Sequence, residues 1–187
     1  MATKRIKPKR VGTKVIIPCR LSYVHLDAPW SGSEQNEKKY SVSCIIPKDD
    51  KETVDVINAA IAEAKQAGKT SKWGGKIPGN LKIALHDGSE RDDEAYEDSV
   101  FFGASSKQPV PTLNRLQEAI PPTDVYSGCY AMVSVTFFPY DTGSKGIGAG
   151  LNAVLKTDEG ERLGGGGDAS KDFDGMDLGV DDTLNDL

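Results

Sequence analysis

The sequence predicts a mainly β fold, a small and partly open barrel with one main helix and long loops. Three observations predict it. Several short segments alternate apolar and polar residues with the two-residue period of a strand, one stretch alone carries a helical period, and Gly- and Pro-rich connections separate them. A plain sandwich fits the same pattern and stays open as the alternative.

Met1 to Gly12 is basic, contains Pro8 and lacks periodicity, so it reads as a flexible arm. From Thr13 to Val24 the residues Val15, Ile17, Cys19, Leu21 and Tyr23 share one face, opposite Lys14, Pro18, Arg20 and Ser22, which predicts a half-buried strand. Asp27 to Lys38 is a polar loop. Lys39 to Ile46 alternates again, with Tyr40, Val42, Cys44 and Ile46 on the apolar side. Asp49 followed by Glu52 has capping-box spacing, and Val54, Ile57, Ile61 and Ala64 recur at helical intervals until Gly68 offers a stop.

Lys69 to Asn80 is a basic loop around Trp73, Leu81 to Leu85 a short strand, and His86 to Asp98 an acidic loop. Val100 to Ala104 predicts another strand, and Gln108 to Pro122 a Pro-bounded connection with a short helical turn. Tyr126 to Tyr140 is the longest strand. Its odd positions, Cys129, Ala131, Val133, Val135 and Phe137, suit a filled interior, whereas Tyr130, Ser134, Thr136, Phe138 and Tyr140 interleave rings with hydroxyls. Pro139 argues for an edge or for the end of that strand. Gly143 to Gly150 reads as a Gly-rich turn, and Leu151 to Leu155 as the closing strand.

The chain therefore divides into a basic arm over 1–12, one domain over 13–163 and an acidic tail over 164–187. The tail holds seven aspartates and one lysine behind four consecutive glycines, while the first 26 residues hold seven Lys or Arg and no acid. With the tail set aside, acids and bases nearly balance, so the net charge of −5 does not argue against a body that binds nucleic acid. The apolar runs are too short to cross a bilayer, and no signal-peptide pattern follows the basic N-terminus, so a cytoplasmic protein is expected. Cys19, Cys44 and Cys129 lack metal-ligand spacing and read as buried free thiols. With two histidines, the chain offers little for a metal site or a Cys-His pair, and no cofactor is implied.

Unpaired nucleic acid asks for cations along the phosphates and flat rings beneath the bases. Lys38, Lys39 and Tyr40 form one such cluster, Lys72, Trp73 and Lys76 a second, and Phe138, Tyr140 and Lys145 a third; Tyr130, Lys14 and Arg20 join them from the strands. Trp30, in Ala28-Pro29-Trp30-Ser31-Gly32, either stacks on a base or plugs its loop. The acidic run from Asp87 to Glu94 raises a metal-dependent nuclease as an alternative, although two-metal sites gather carboxylates from separate rigid elements and this is one contiguous loop. A virion scaffold protein with charged ends is a third reading.

The segments Tyr40 to Lys48, Tyr126 to Tyr130, Phe137 to Ile147 and Gly150 to Val154 resemble a family of bacteriophage single-stranded DNA-binding proteins, with an OB-fold body and an acidic tail. The resemblance implies a five-stranded barrel without catalytic activity. It implies a protein that coats single-stranded DNA during replication or recombination in an infected or lysogenic bacterial host. It also implies a tail that competes with DNA for the groove and then docks replication or recombination proteins. The seven tail aspartates, Asp172, Asp174, Asp177, Asp181, Asp182 and Asp186 together with Asp168, would mimic phosphates, and Phe173, Met176, Leu178, Leu184 and Leu187 would supply apolar anchors. A homo-oligomer is compatible with this reading.

Overall fold

A computed structural model describes residues 5–163; the tail and its expected partner-binding residues lie outside them. The elements are β1 (Lys9–Val11), β2 (Lys14–Trp30), β3 (Lys39–Pro47), α1 (Lys51–Ser71), β4 (Lys82–Ile83), β5 (His86–Asp87), β6 (Ser99–Ser106), β7 (Thr112–Leu113), β8 (Tyr130–Thr142) and β9 (Ser144–Asp158). Strands β2, β3, β6, β9 and β8 make a five-stranded barrel, because β2 pairs with both β3 and β8 while β6 meets β9. The barrel is closed rather than partly open, and the closing seam is a single parallel pair, Ser105 with Gly150.

The alternation read from sequence fills this barrel. Val15, Ile17 and Leu21 of β2 meet Val42, Cys44 and Ile46 of β3, Phe102 and Ala104 of β6, Val133, Val135 and Phe137 of β8, and Ile147, Leu151 and Val154 of β9, all buried. Phe102 and Phe137 touch across the interior with ring centroids 5.4 Å apart. Helix α1 packs Ile57, Ala60, Ile61 and Ala64 into the same core. All three cysteines are buried and free. The Cys19 thiol is pushed up by its hydrogen bond with Cys44 and by burial, which keeps it protonated and unreactive.

Four expectations change. The segment expected to be an arm contributes β1, whose Lys9, Arg10 and Val11 pair with Ile16, Val15 and Lys14. The cap of α1 is Asp50, one residue later than expected: its carboxylate accepts from Thr53 N–H and from Thr53 Oγ1 at 2.7 Å, while Asp49 pairs with Arg5. Gly68 does not end the helix but lies buried inside it. A Cβ there would come 2.6 Å from Pro139 and 2.8 Å from the Trp73 ring, so the glycine is a seat for the indole. Finally, Gly143 alone turns the β8–β9 hairpin, and Gly146, Gly148 and Gly150 belong to β9. Glycine within a strand here marks close approach rather than a turn: a Cβ on Gly148 would sit 2.8 Å from the Phe138 ring. The Gln108–Pro122 connection lays β7 on β9 and reaches its helical turn only at Pro122–Asp124.

Candidate nucleic-acid interface

The inward alternation leaves an equally regular outer face. One rung around the barrel reads His25, Ser41, Ser105, Gly150, Thr136 and Lys14, passing from β2 through β3, β6, β9 and β8 back to β2. The return point differs from the start, as the tilt of barrel strands requires. Beside this rung, Ser43 pairs with Gly103. Across β3, β6, β9 and β8 this rung is a strip of small side chains, Ser41, Ser105, Gly150 and Thr136, with His25 and Lys14 of β2 at its two ends.

Aromatic rings border the strip. On the β8 side Phe138 is 44% exposed and lies over Gly148. At the β2 side Trp30 is 53% exposed and stacks on His25, with centroids 4.5 Å apart and planes within 5°. Burial holds the His25 pKa down, favouring the neutral ring under the indole. Tyr23, expected on the inner face, is 52% exposed instead. The β2–β3 register shifts between Ser22 and His25, and Tyr23 takes φ of +46°, so the irregularity turns Ser22 in and Tyr23 out.

The acidic loop folds back over part of the β3–β6 face. Tyr96 is fully buried against Ile45 and Phe101, with its ring edge-on to Phe101 at 5.0 Å, and its hydroxyl lies 3.4 Å from Ser43 Oγ. The loop's carboxylates have structural work. Asp87 pairs with Lys48 at 2.7 Å and accepts from Ser89 N–H, and its pKa falls to about 2, chiefly through Lys48. Asp93 accepts from Ala95 N–H, and Glu90 meets His86 Nδ1 at 2.9 Å. Arg91 projects from this loop over the rings of Tyr23, Phe101 and Tyr96 at 4.9, 5.1 and 5.5 Å. It borders a groove of about 510 Å³.

The sequence-derived candidates scatter around this geometry. Phe138, Lys14 and Thr136 fall on or beside the strip, Lys39 pairs with Trp30 at its edge, and Lys38 is exposed next to it. Lys145 is exposed on the β8–β9 hairpin opposite Asp141. Among the described residues, Lys14, Lys38, Lys39, Lys72, Lys76 and Lys145 form no ion pair, leaving their charge available.

Trp73 is a correction. It is buried, and its Nε1–H donates to the Tyr140 carbonyl at 3.2 Å, so its faces are spent on the helix and on Pro139. Tyr40 packs half-buried against the core, and Tyr140 is half-buried with its ring close to Gly146. Arg20 is also committed elsewhere: it donates to the carbonyls of Gly128 and Glu161 and lies 5.6 Å over the half-exposed Tyr130 ring. Sequence reasoning missed Tyr23, Arg91 and the strip itself. The strip had a signal in Ser41-Val42-Ser43, Gly103-Ala104-Ser105 and Gly146-Ile147-Gly148-Ala149-Gly150, where small residues alternate with apolar ones.

A closed five-stranded barrel in this strand order, with one outer face kept low and rimmed by exposed rings, is an OB fold of the oligonucleotide-binding kind. The chain belongs to the family of the Enterobacter phage Enc34 ssDNA-binding protein, whose family model matches residues 13–184. The family is one of binding proteins, not enzymes. The solved single-stranded DNA-binding protein from bacteriophage Enc34, in complex with ssDNA, is 26% identical, with a TM-score of 0.70 over 87% of this chain and 100% of that one. Protein p50 of Acyrthosiphon pisum secondary endosymbiont phage 1 is 29% identical over 177 residues, covering 88% of this chain and 94% of its own. The single-stranded DNA-binding protein gp2.5 of bacteriophage T7 shares the fold at 15% identity and a TM-score of 0.56, over 90% of this chain and 100% of that one.

Proposed function

We propose that this protein binds single-stranded DNA along the outer strip, without strong sequence preference, and covers exposed strands during phage replication or recombination in the host cytoplasm. The observation that carries the reading is the low floor of Ser41, Ser105 and Gly150 between the exposed rings of Trp30 and Phe138, in a chain whose family is one of ssDNA-binding proteins. A floor of Ser and Gly lets a sugar–phosphate chain approach the sheet, and the two exposed rings offer π-faces to unstacked bases. Lys14, Lys38, Lys39 and Lys145 supply phosphate contacts from the rim, with Lys72 and Lys76 nearby in sequence to the helix end that carries Trp73. A duplex presents no free base faces and fits this floor poorly.

The acidic tail completes the reading. Leu163, the last described residue, packs on the Ile45–Tyr96–Phe101 cluster, and its N–H donates to the Ser127 carbonyl. The tail thus starts beside the face proposed for DNA. Its seven aspartates compete with phosphates for the rim lysines at high local concentration, and when displaced they present Phe173, Leu184 and Leu187 to replication or recombination proteins. A homo-oligomer along the DNA is compatible with this arrangement.

Fluorescence anisotropy with labelled oligo-dT tests the proposal, using the full chain, a version ending at Leu163 and a duplex competitor. Preference for the single strand, tighter binding by the shorter version and a steep fall in affinity with salt are the expected results. Equal affinity for duplex and single strand would remove the strip as the binding surface. Unchanged affinity on truncation would remove the tail's competition.

A further inference from the structure

The groove beside Arg91 differs in chemistry from the rest of the proposed DNA path. Phosphate sites are basic, yet this one is walled by Glu90, Asp92 and Asp93 together with the rings of Tyr23, His86 and Phe101. Two of the three acids are already occupied, Glu90 by His86 and Asp93 by the Ala95 N–H. Asp92 has no hydrogen bond or ion pair among the described residues. Arg91 is held among three rings and by its 3.4 Å contact with the Tyr23 hydroxyl, which leaves most of its N–H donors unspent. A free carboxylate next to a pre-oriented guanidinium, between exposed rings, repels phosphate and suits one planar ligand with a paired donor edge and acceptor edge.

Resting on the single-stranded DNA reading above, we propose that this groove is a base-selective subsite for guanine, inserted into an otherwise sequence-tolerant path. Guanine presents N1–H and the N2 amino group as adjacent donors, which one carboxylate accepts, and O6 with N7 as adjacent acceptors, which arginine contacts. Asp92 takes the donor edge and Arg91 the acceptor edge, while the exposed side chains of Tyr23 and His86 border the base. Thymine has no amino group to satisfy Asp92. Cytosine offers the carboxylate only its N4 amino group, with no ring N–H beside it, and has no O6–N7 edge for the arginine. Tyr23, at the β2 irregularity, lines the groove, and on this proposal a nucleotide on the strip turns its base toward the acidic loop.

The test compares labelled oligo-dT with the same oligonucleotide carrying dG at intervals, using full-length protein at fixed salt. The dG-containing strand should bind roughly tenfold more tightly, within the range of one good two-bond base contact. Replacing dG by deoxyinosine, which lacks the N2 amino group, or by 7-deaza-dG, which lacks N7, should each remove most of that preference. In Asp92→Ala the ratio of dG-strand to dT-strand affinity should fall close to one. Asp92 is exposed and unpartnered, so the variant folds. Binding of oligo-dT with no gain from dG overturns the guanine subsite and leaves the general reading standing. Failure to bind either strand at low salt overturns both.

Discussion

Trp30 and Trp73 sit in similar sequence, each in a turn-rich stretch beside glycine and serine, and the fold treats them oppositely. Trp30 ends β2 and stacks on His25 with half its surface in solvent; Trp73 lies 6% exposed over Gly68. The difference is set by what lies across from each ring. Five residues before Trp73, α1 has a glycine on its buried face, and β8 brings Pro139 and the Tyr140 carbonyl to close the pocket. Trp30 instead rests on the His25 ring near Gly32, and 53% of it stays exposed. A loop aromatic becomes core or contact surface according to distant residues that do or do not make room for it.

The comparison breaks most visibly at Trp73. Trp73→Ala should cost about 3–5 kcal/mol of stability, since it empties a packed site and strands the Tyr140 carbonyl; urea unfolding measures it, and a loss under 1 kcal/mol would contradict the burial. Trp30→Ala and Phe138→Ala should do the reverse. Stability should stay within about 0.5 kcal/mol, whereas oligo-dT affinity should weaken by about 1–3 kcal/mol per ring. Intrinsic fluorescence sharpens the contrast: in Trp30→Phe, oligonucleotide should no longer quench the emission, because the remaining indole is buried.

Smaller effects follow from the elements that hold the two sides. Asp50→Ala removes the cap of the helix that seats Trp73 and should cost about 1 kcal/mol by thermal or urea unfolding, with DNA affinity unchanged. On the exposed side, Lys48, helped by the hydrogen bonds from Ser89, lowers the Asp87 carboxyl from 3.8 to about 2. A depressed carboxyl stabilises the folded state above its ordinary pKa and loses that contribution as pH falls through the folded value. The stability gap between wild type and Asp87→Asn should therefore be complete at pH 5 and close toward pH 2. A gap that widens on acidification would contradict the Lys48 pairing.

Much of the barrel was legible because alternation writes inside and outside directly into strands: Val15 to Leu21, Val42 to Ile46 and Ala131 to Phe137 all face inward as their period requires. The family segments added the five-stranded barrel, which periodicity alone did not separate from a sandwich; the strand order came only with the structure. The misreadings share a cause. Gly68, Gly148 and Gly150 look like punctuation locally, but each answers to a ring or strand far away in sequence, as does Trp73. Tyr23 obeys the alternation of its strand until a register shift inverts it. Of the candidate site, Phe138 and the rim lysines were visible as residue types, whereas the strip exists only once β3, β6 and β9 are side by side.

The seam between β6 and β9 carries one further consequence. A barrel fastened there by the lone pair of Ser105 and Gly150 has its least-constrained line directly beneath the proposed DNA path. Amide exchange should be faster along that line than across the β2–β8 or β8–β9 pairings. A strand of DNA laid over it would act as an external splint, so part of what binding gains in contacts is returned as lost breathing of the barrel, and affinity would be set by the stiffness of the empty protein as well as by the surface it offers.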